Sequence, residues 1–297
     1  MRSWIFVPGH SERMLDKSRR LPVDVVMLDL EDGVVEARKD EARSLVAAAL
    51  QHPHNVHEPR RYVRINGPEA RPFQRDIDAI VPMRPHGLVV PKVEFVDQLR
   101  SVDDAVAKCE RAAGLDIGGV ELVLAIESAQ GLLVAAALAA AVPRVSALMF
   151  GAEDYSRDLG LPTIRTGVAR EFIHARSTIV VAAAAARVQS VDGVWPDLAD
   201  NEGLERDAAL ARALGFTGKS MIHPGQAEVV NRVFGPRDED VCYAERLITA
   251  FEDAVAKGEG SIRFEGVLVD RPIFERARRT IALARERALT DDLKEKR

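Results

Sequence analysis

Short apolar runs recur along this chain, each closed by turn or charged residues. They fall at 4–7, 24–30, 61–65, 87–90, 120–126, 146–150, 190–194 and 216–222. Runs of that length, bounded by glycine, proline or acid, predict buried strands. Between them lie segments patterned for helices: a basic one at 10–20, a charged one at 39–50 and an alanine-heavy one at 167–188. The alanine- and leucine-rich stretch after residue 127 is long enough for one helix joining the fifth and sixth strands. Strand–helix–strand units place their strands parallel and adjacent, so this succession predicts an α/β fold, a (β/α)8 barrel, over 1–225. An open doubly wound sheet is the alternative, but no glycine-rich fingerprint follows the first strand. Beyond it, 226–257 reads as mostly helical, and a last helix is expected at 273–289 before a charged, frayed tail. Segment 226–297 offers little apolar surface of its own, which marks it as a helical extension rather than an independent domain.

Composition narrows the partners. A net charge of −5 argues against nucleic acid, whose phosphates want a basic surface. Cys109 and Cys242 fit no zinc spacing and read as reduced thiols. The N-terminal residues contain no long apolar h-region, and the longest apolar run, 132–142, is shorter than the ~20 residues of a membrane span. A cytoplasmic protein with no membrane partner is the expectation. Gly218-Lys219-Ser220 imitates the end of a phosphate-binding P-loop, yet Ala213 stands where the leading glycine is needed. His52, His54 and His57 cluster in a proline-broken loop, which suits solvated side chains or a metal site.

The polar residues that change the picture are those at strand ends. Glu31, Asp32, Arg64, Lys92, Glu127, Asp154 and His223 all follow the apolar part of a strand, and in a barrel that end is the catalytic face. Glu127 and Asp154 end neighbouring strands. Two carboxylates that close want a cation between them, and hard oxygen donors suit Mg2+ or Mn2+. The alternative is that both cap helices or pair with arginines. Arg64 has a similar alternative, pairing with Glu31 or Asp32 across the mouth. Lys92 suits either a Schiff-base nucleophile or an acid's partner, and the role of His223 stays open. Arg13 and Lys17 lie on the basic first helix, solvated or facing a phosphate.

Eight motifs in order carry a resemblance that runs nearly end to end: SWIFVPG at 3–9, LDLEDG at 28–33, VRIN at 63–66, VPKVE at 90–94, AIES at 125–128, FGAEDY at 150–155, KSMIHP at 219–224 and VDRP at 269–272. With them the sequence resembles the citrate lyase β-subunit-like family of CoA-ester lyases, which includes malyl-CoA and citramalyl-CoA lyases. The resemblance implies that Glu127 and Asp154 are direct Mg2+ ligands, with Glu127 also at the substrate. Arg64 matches the arginine that binds substrate oxygens, and Glu31 and Asp32 match acids that hold the metal's water. Asp270 matches a catalytic acid on a lid, here around 258–272, that reaches a neighbouring subunit's site in a trimer or hexamer. Without the resemblance, Asp270 before Arg271-Pro272 is an ordinary N-cap pattern. Gly33-Val34-Val35 departs from the many relatives that carry alanine after the acids.

The implied reaction cleaves a 3-hydroxyacyl-CoA such as malyl-, citramalyl- or citryl-CoA to acetyl-CoA and a 2-oxo acid, or runs in reverse. A class II aldolase on free hydroxy-oxo acids is a second reading. A citrate lyase subunit acting on an acyl carrier protein thioester is a third, and a barrel that binds CoA without catalysis a fourth.

Overall fold

The computed structural model describes residues 1–162 and 169–295. Among them, eight parallel strands close into a barrel in sequence order: β1 (Ser3–Pro8), β2 (Val25–Asp29), β3 (Arg60–Arg64), β4 (Gly87–Val90), β5 (Glu121–Ile126), β6 (Val145–Phe150), β7 (Gln189–Asp192) and β8 (Gly218–Met221). Closure is made by β1, which pairs with β2 on one side and with β8 on the other. The (β/α)8 expectation is correct, and each expected strand is present with its ends shifted by a few residues.

Strand alternation sorts the side chains into two layers. Trp4, Val25, Met27, Tyr62, Val89, Val123, Ala147, Met149 and Val191 form one buried cluster, which fills the barrel. Their strand neighbours, among them Ile5, Val26, Leu28, Val63, Leu88, Leu124 and Leu148, pack outward in a larger cluster with the helices. Around the strands run α1 (Glu12–Ser18), α2 (Lys39–Gln51), α3 (Phe73–Ile80), α4 (Val96–Ala112), α5 (Ala129–Leu133), α6 (Ala135–Ala141), α7 (Ala152–Asp158), α8 (Ile173–Ala186), α9 (Asn201–Leu214) and α10 (Ala227–Phe234).

The single helix expected between β5 and β6 is two. Ser128 caps α5 by accepting the Gly131 N–H, and at Val134 the backbone leaves helical geometry (φ −110°, ψ 8°). The turn lets α6 lie against α4 and α8. The alanine-heavy helix begins at Ile173, later than expected; residues 167 and 168 of that expectation lie outside the described residues. Lys219, the lysine of the false P-loop, is buried in the outer layer. Its Nζ donates to Asp192, Asp207 and the Gly193 carbonyl, and Arg176 completes the network by pairing with both acids.

The chain divides into two compact units, Met1–Phe234 and Gly235–Arg297. The second contains α11 (Asp238–Ala256), an antiparallel hairpin of β9 (Ile262–Phe264) and β10 (Val267–Val269), and α12 (Arg271–Glu295). It gathers an apolar cluster of its own around Leu247, Phe251, Val269 and Phe274, with the two phenylalanine rings stacked at 4.8 Å. The last helix continues to Glu295, so the tail expected to fray is helical over its described part, where Leu293, Lys294 and Glu295 are good helix formers. Lys296 and Arg297 lie outside the described residues.

Candidate active site

At the C-terminal rim the inward positions become charged. Asp29 continues the inward series Val25, Met27 on β2, and Arg64 follows Tyr62 on β3; the two are register partners. Arg64 donates from Nε to Asp29 Oδ1 and from Nη2 to Oδ2, each at 2.7 Å. The same carboxylate accepts the backbone N–H groups of Glu31 and Gly33, both at 2.9 Å. A Cβ at residue 33 would fall 2.3 Å from Asp29 Oδ2, so the turn requires glycine. Burial raises the Asp29 pKa, but the Arg64 charge and these hydrogen bonds outweigh it and hold the carboxyl below its usual range. Burial likewise opposes the Arg64 charge, and Asp29 and Glu31 more than restore it. The guanidinium also sits 4.5 Å from the centre of the Phe6 ring.

Glu31, 4% exposed, lies between two cations. Lys92 Nζ donates to its Oε1 and also lies 3.6 Å from Asp32. Arg64 Nη1 stands 3.2 Å from Oε2 without hydrogen-bond geometry, so that buried oxygen has no hydrogen-bond partner. Burial pushes the Glu31 pKa up, and Arg64 and Lys92 pull it only part of the way back. For Lys92, burial is outweighed by Glu31, Asp32 and Glu127, which keep the amine charged. A neutral, nucleophilic amine of the Schiff-base kind is not what this setting favours.

Glu127 follows β5 and is buried beside Gly151, which follows β6. Its Oε1 accepts the Lys92 backbone N–H at 2.7 Å. Burial, with the charges of Glu31 and Asp154, pushes its pKa up to about 8. Asp154 stands in the first turn of α7 and pairs with Arg157 at 2.7 Å. Both acids are on the same rim, from adjacent strands, as the sequence implied.

Lys39 braces this rim from α2. Its Nζ donates to the Leu30 and Glu31 carbonyls and to Asn66 Oδ1, and Asn66 is fixed in turn by Asp76. Asp29 and Lys39 are the residues that sequence reasoning passed over. An acid at an inward position of an apolar strand is a signal that marks Asp29; nothing local marks Lys39.

His223, His54 and Asp270 have structural partners. His223 Nδ1 accepts the Gly225 N–H and caps the turn after β8. His54 Nε2 lies 3.2 Å from the Pro59 carbonyl, and its ring meets His86 edge-on. Asp270, in the second unit, caps α12: its Oδ1 lies 3.4 Å from the Ile273 N–H. Arg13 and Lys17 are exposed on α1.

The rim suits a divalent cation by charge rather than by enclosure. Among the described residues, no three His, Cys, Asp or Glu side chains gather as a metal cage. What the site does hold is a Glu127 carboxyl driven toward neutrality by burial and by its acidic neighbours, and a buried Glu31 oxygen without a hydrogen-bond partner. A hard cation held by Glu127 and Asp154 would relieve the first, and an open coordination shell would suit Mg2+, which retains water and substrate oxygens.

A closed parallel barrel with this acidic, arginine-bearing rim belongs to the HpcH/HpaI aldolase/citrate lyase family, whose model matches residues 2–224. The chain is a carbon–carbon lyase of that family. It is 37% identical to citrate lyase subunit beta of Leuconostoc mesenteroides, covering 98% of this chain and 95% of the relative. It is 32% identical to the mitochondrial citramalyl-CoA lyase of Rattus norvegicus, covering 95% and 86%. The Mycobacterium tuberculosis protein CitE, solved in complex with magnesium, acetoacetate and coenzyme A, is 31% identical with a TM-score of 0.78, covering 95% of this chain and 97% of that one.

Proposed function

We propose that this protein is a Mg2+-dependent lyase that cleaves, or forms, the C–C bond of a 3-hydroxyacyl-CoA, giving acetyl-CoA and a 2-oxo acid. The observation that carries this reading is the place of Glu127: a buried carboxyl at the end of β5, against Gly151 on the loop that leads to Asp154, on the rim that Arg64 shares, where burial first and then the charges of Glu31 and Asp154 push its pKa up to about 8. The complexes of magnesium, acetoacetate and coenzyme A in the similar CitE protein support the choice of cation and of thioester. Glu127 and Asp154 would be the ligands, and Mg2+ supplies Lewis acidity at the oxygens of the 2-oxo acid.

The chain's own groups do the rest. Arg64, held by Asp29, offers its remaining N–H groups to the thioester oxygen as enolate charge develops. A fixed donor of this kind is typically worth ~3–4 kcal/mol. It needs no reorganisation, since Asp29 already fixes the fork. Glu31 and Asp32 orient water at the rim. Asp270 moves the proton at the thioester's α-carbon, from a lid around 258–272 that includes the β9–β10 hairpin, and serves a neighbouring subunit in a homotrimer or hexamer. A cytoplasmic location accords with the free Cys109 and Cys242.

The test is direct. Purified protein with Mg2+ and malyl-, citramalyl-, citryl- or 3-methylmalyl-CoA should release a 2-oxo acid; no turnover of any of them overturns the proposal. A second reading, a subunit acting on an acyl carrier protein thioester, is favoured by the 37% identity to a citrate lyase subunit beta. Turnover that appears only when a charged acyl carrier protein replaces CoA selects it.

A further inference from the structure

Lys92 is one of the non-glycine residues with a positive φ, +58°, a region that L side chains enter at a steric cost. Its side chain does not account for that backbone. A lysine's four-carbon stem is flexible, and an ammonium can reach Glu31 and Asp32 from an extended backbone as well. The direction of the peptide N–H relative to the side chain and to the chain that follows, by contrast, is set by φ. Here it meets Glu127 Oε1 at 2.7 Å. The opposite face of that carboxylate is bounded by Gly151, where a Cβ would come within 2.6 Å of Oε2. Oε1 therefore points to the β4 loop, and Oε2 to the β6 loop that leads three residues on to Asp154.

We propose that Lys92 is a positioning residue that acts through its backbone: the left-handed conformation aims its N–H at Glu127 Oε1 and leaves Oε2 on Asp154's side as the oxygen for the cation. The inference rests on the proposed metal role of Glu127. A free Glu127 carboxylate would present either oxygen, or both, and would have to be reoriented on each binding event. The hydrogen bond removes that freedom before the cation arrives, the way outer partners orient metal ligands generally. Lys92 thus resembles a turn residue in its backbone and is a partner of Glu31 in its side chain, and the two roles separate by substitution.

The test is Mg2+ binding by calorimetry, without substrate, on wild type, Lys92→Gly, Lys92→Asn and Lys92→Val. All three variants lose the ammonium, so differences among them report the backbone. Glycine and asparagine tolerate a left-handed conformation, and a β-branched residue does not. Lys92→Gly and Lys92→Asn should bind Mg2+ at least as tightly as wild type, because a competing positive charge is gone. Lys92→Val should bind roughly 10–100-fold more weakly, the usual penalty for losing a partner of a metal ligand. Circular dichroism confirms folding, and Lys92→Ala replaces the valine variant if that one does not fold. Equal affinity in all three variants, or equal loss in all three, overturns the inference while leaving the metal reading intact. Absence of Mg2+ binding by wild type overturns both.

Discussion

Asp29 and Arg64 are direct register partners on β2 and β3, joined by two hydrogen bonds of 2.7 Å. The pairing decides what Arg64 can do. Two donor positions of its fork are committed to Asp29, so the guanidinium is held in one orientation, with Nη1 standing 3.2 Å from Glu31 Oε2. Asp29 is 3% exposed and the pair is largely dry, so removing one partner strands the other. Asp29→Ala is expected to lower stability by roughly 3–5 kcal/mol and activity by about 100-fold or more. Urea unfolding and kcat measure the two effects, and Asp29→Asn should recover part of the stability with little of the activity.

Gly151 has φ −93°, which alanine adopts without strain, so Gly151→Ala isolates a steric effect. The new methyl would sit 2.5 Å from Glu127 Cβ and 2.6 Å from Oε2. Glu127 must then move. Mg2+ affinity should fall about 10–100-fold while thermal stability changes little by comparison, which calorimetry and a melting curve together establish.

The elevated Glu127 pKa has two measurable consequences. Cation binding requires the carboxylate, so below about pH 8 Mg2+ must displace a proton, and apparent affinity rises as pH rises toward and through that value. Calorimetry in buffers of different ionisation enthalpy should detect the released proton at pH 7 and lose it by pH 9 to 10, on the order of one to two pH units above the midpoint. For the metal-free protein the folded value lies above the unfolded one. The neutral form's contribution is therefore complete below the unfolded pKa and is lost as pH climbs to about 8. Glu127→Gln should flatten that decline and abolish the proton release.

Much of this architecture was legible in the sequence, because each barrel strand is an apolar run closed by a turn residue or an acid. The break between α5 and α6 was hidden: alanine and leucine favour helix throughout, and only packing against α4 and α8 imposes the turn at Val134. In the site, the strand-end rule found Glu31, Arg64, Lys92, Glu127 and Asp154. Asp29 was passed over because it lies inside the DVVMLDL run and was counted as strand body, although its parity with Met27 places it inward. The Lys92–Glu31 contact joins residues 61 positions apart, and local pattern carries no trace of such a contact. The left-handed backbone of Lys92 was equally invisible, since a lysine gives no hint of positive φ.

The buried network of Arg176, Asp192, Asp207 and Lys219 tests the reading of Lys219 as structural. Lys219→Met leaves two carboxylates sharing one arginine in the outer layer. It should cost roughly 3–5 kcal/mol in stability, seen by urea unfolding, and it should not abolish Mg2+ binding in the protein that folds.

Asp270 separates a CoA lyase from a simple aldolase. Asp270→Ala should lower kcat on the CoA substrate by about 100-fold or more, the scale of losing general acid–base catalysis, with Mg2+ affinity unchanged. Cleavage of a free hydroxy-oxo acid at undiminished rate in the same variant would favour the aldolase.

The most direct measurement is anomalous diffraction from crystals grown with Mn2+ in place of Mg2+, in the presence of a 2-oxo acid. The expected result is a single strong peak about 2.0–2.2 Å from one oxygen each of Glu127 and Asp154, with Glu127 contributing Oε2. A peak bound elsewhere, or none at saturating Mn2+, would contradict the account at its root.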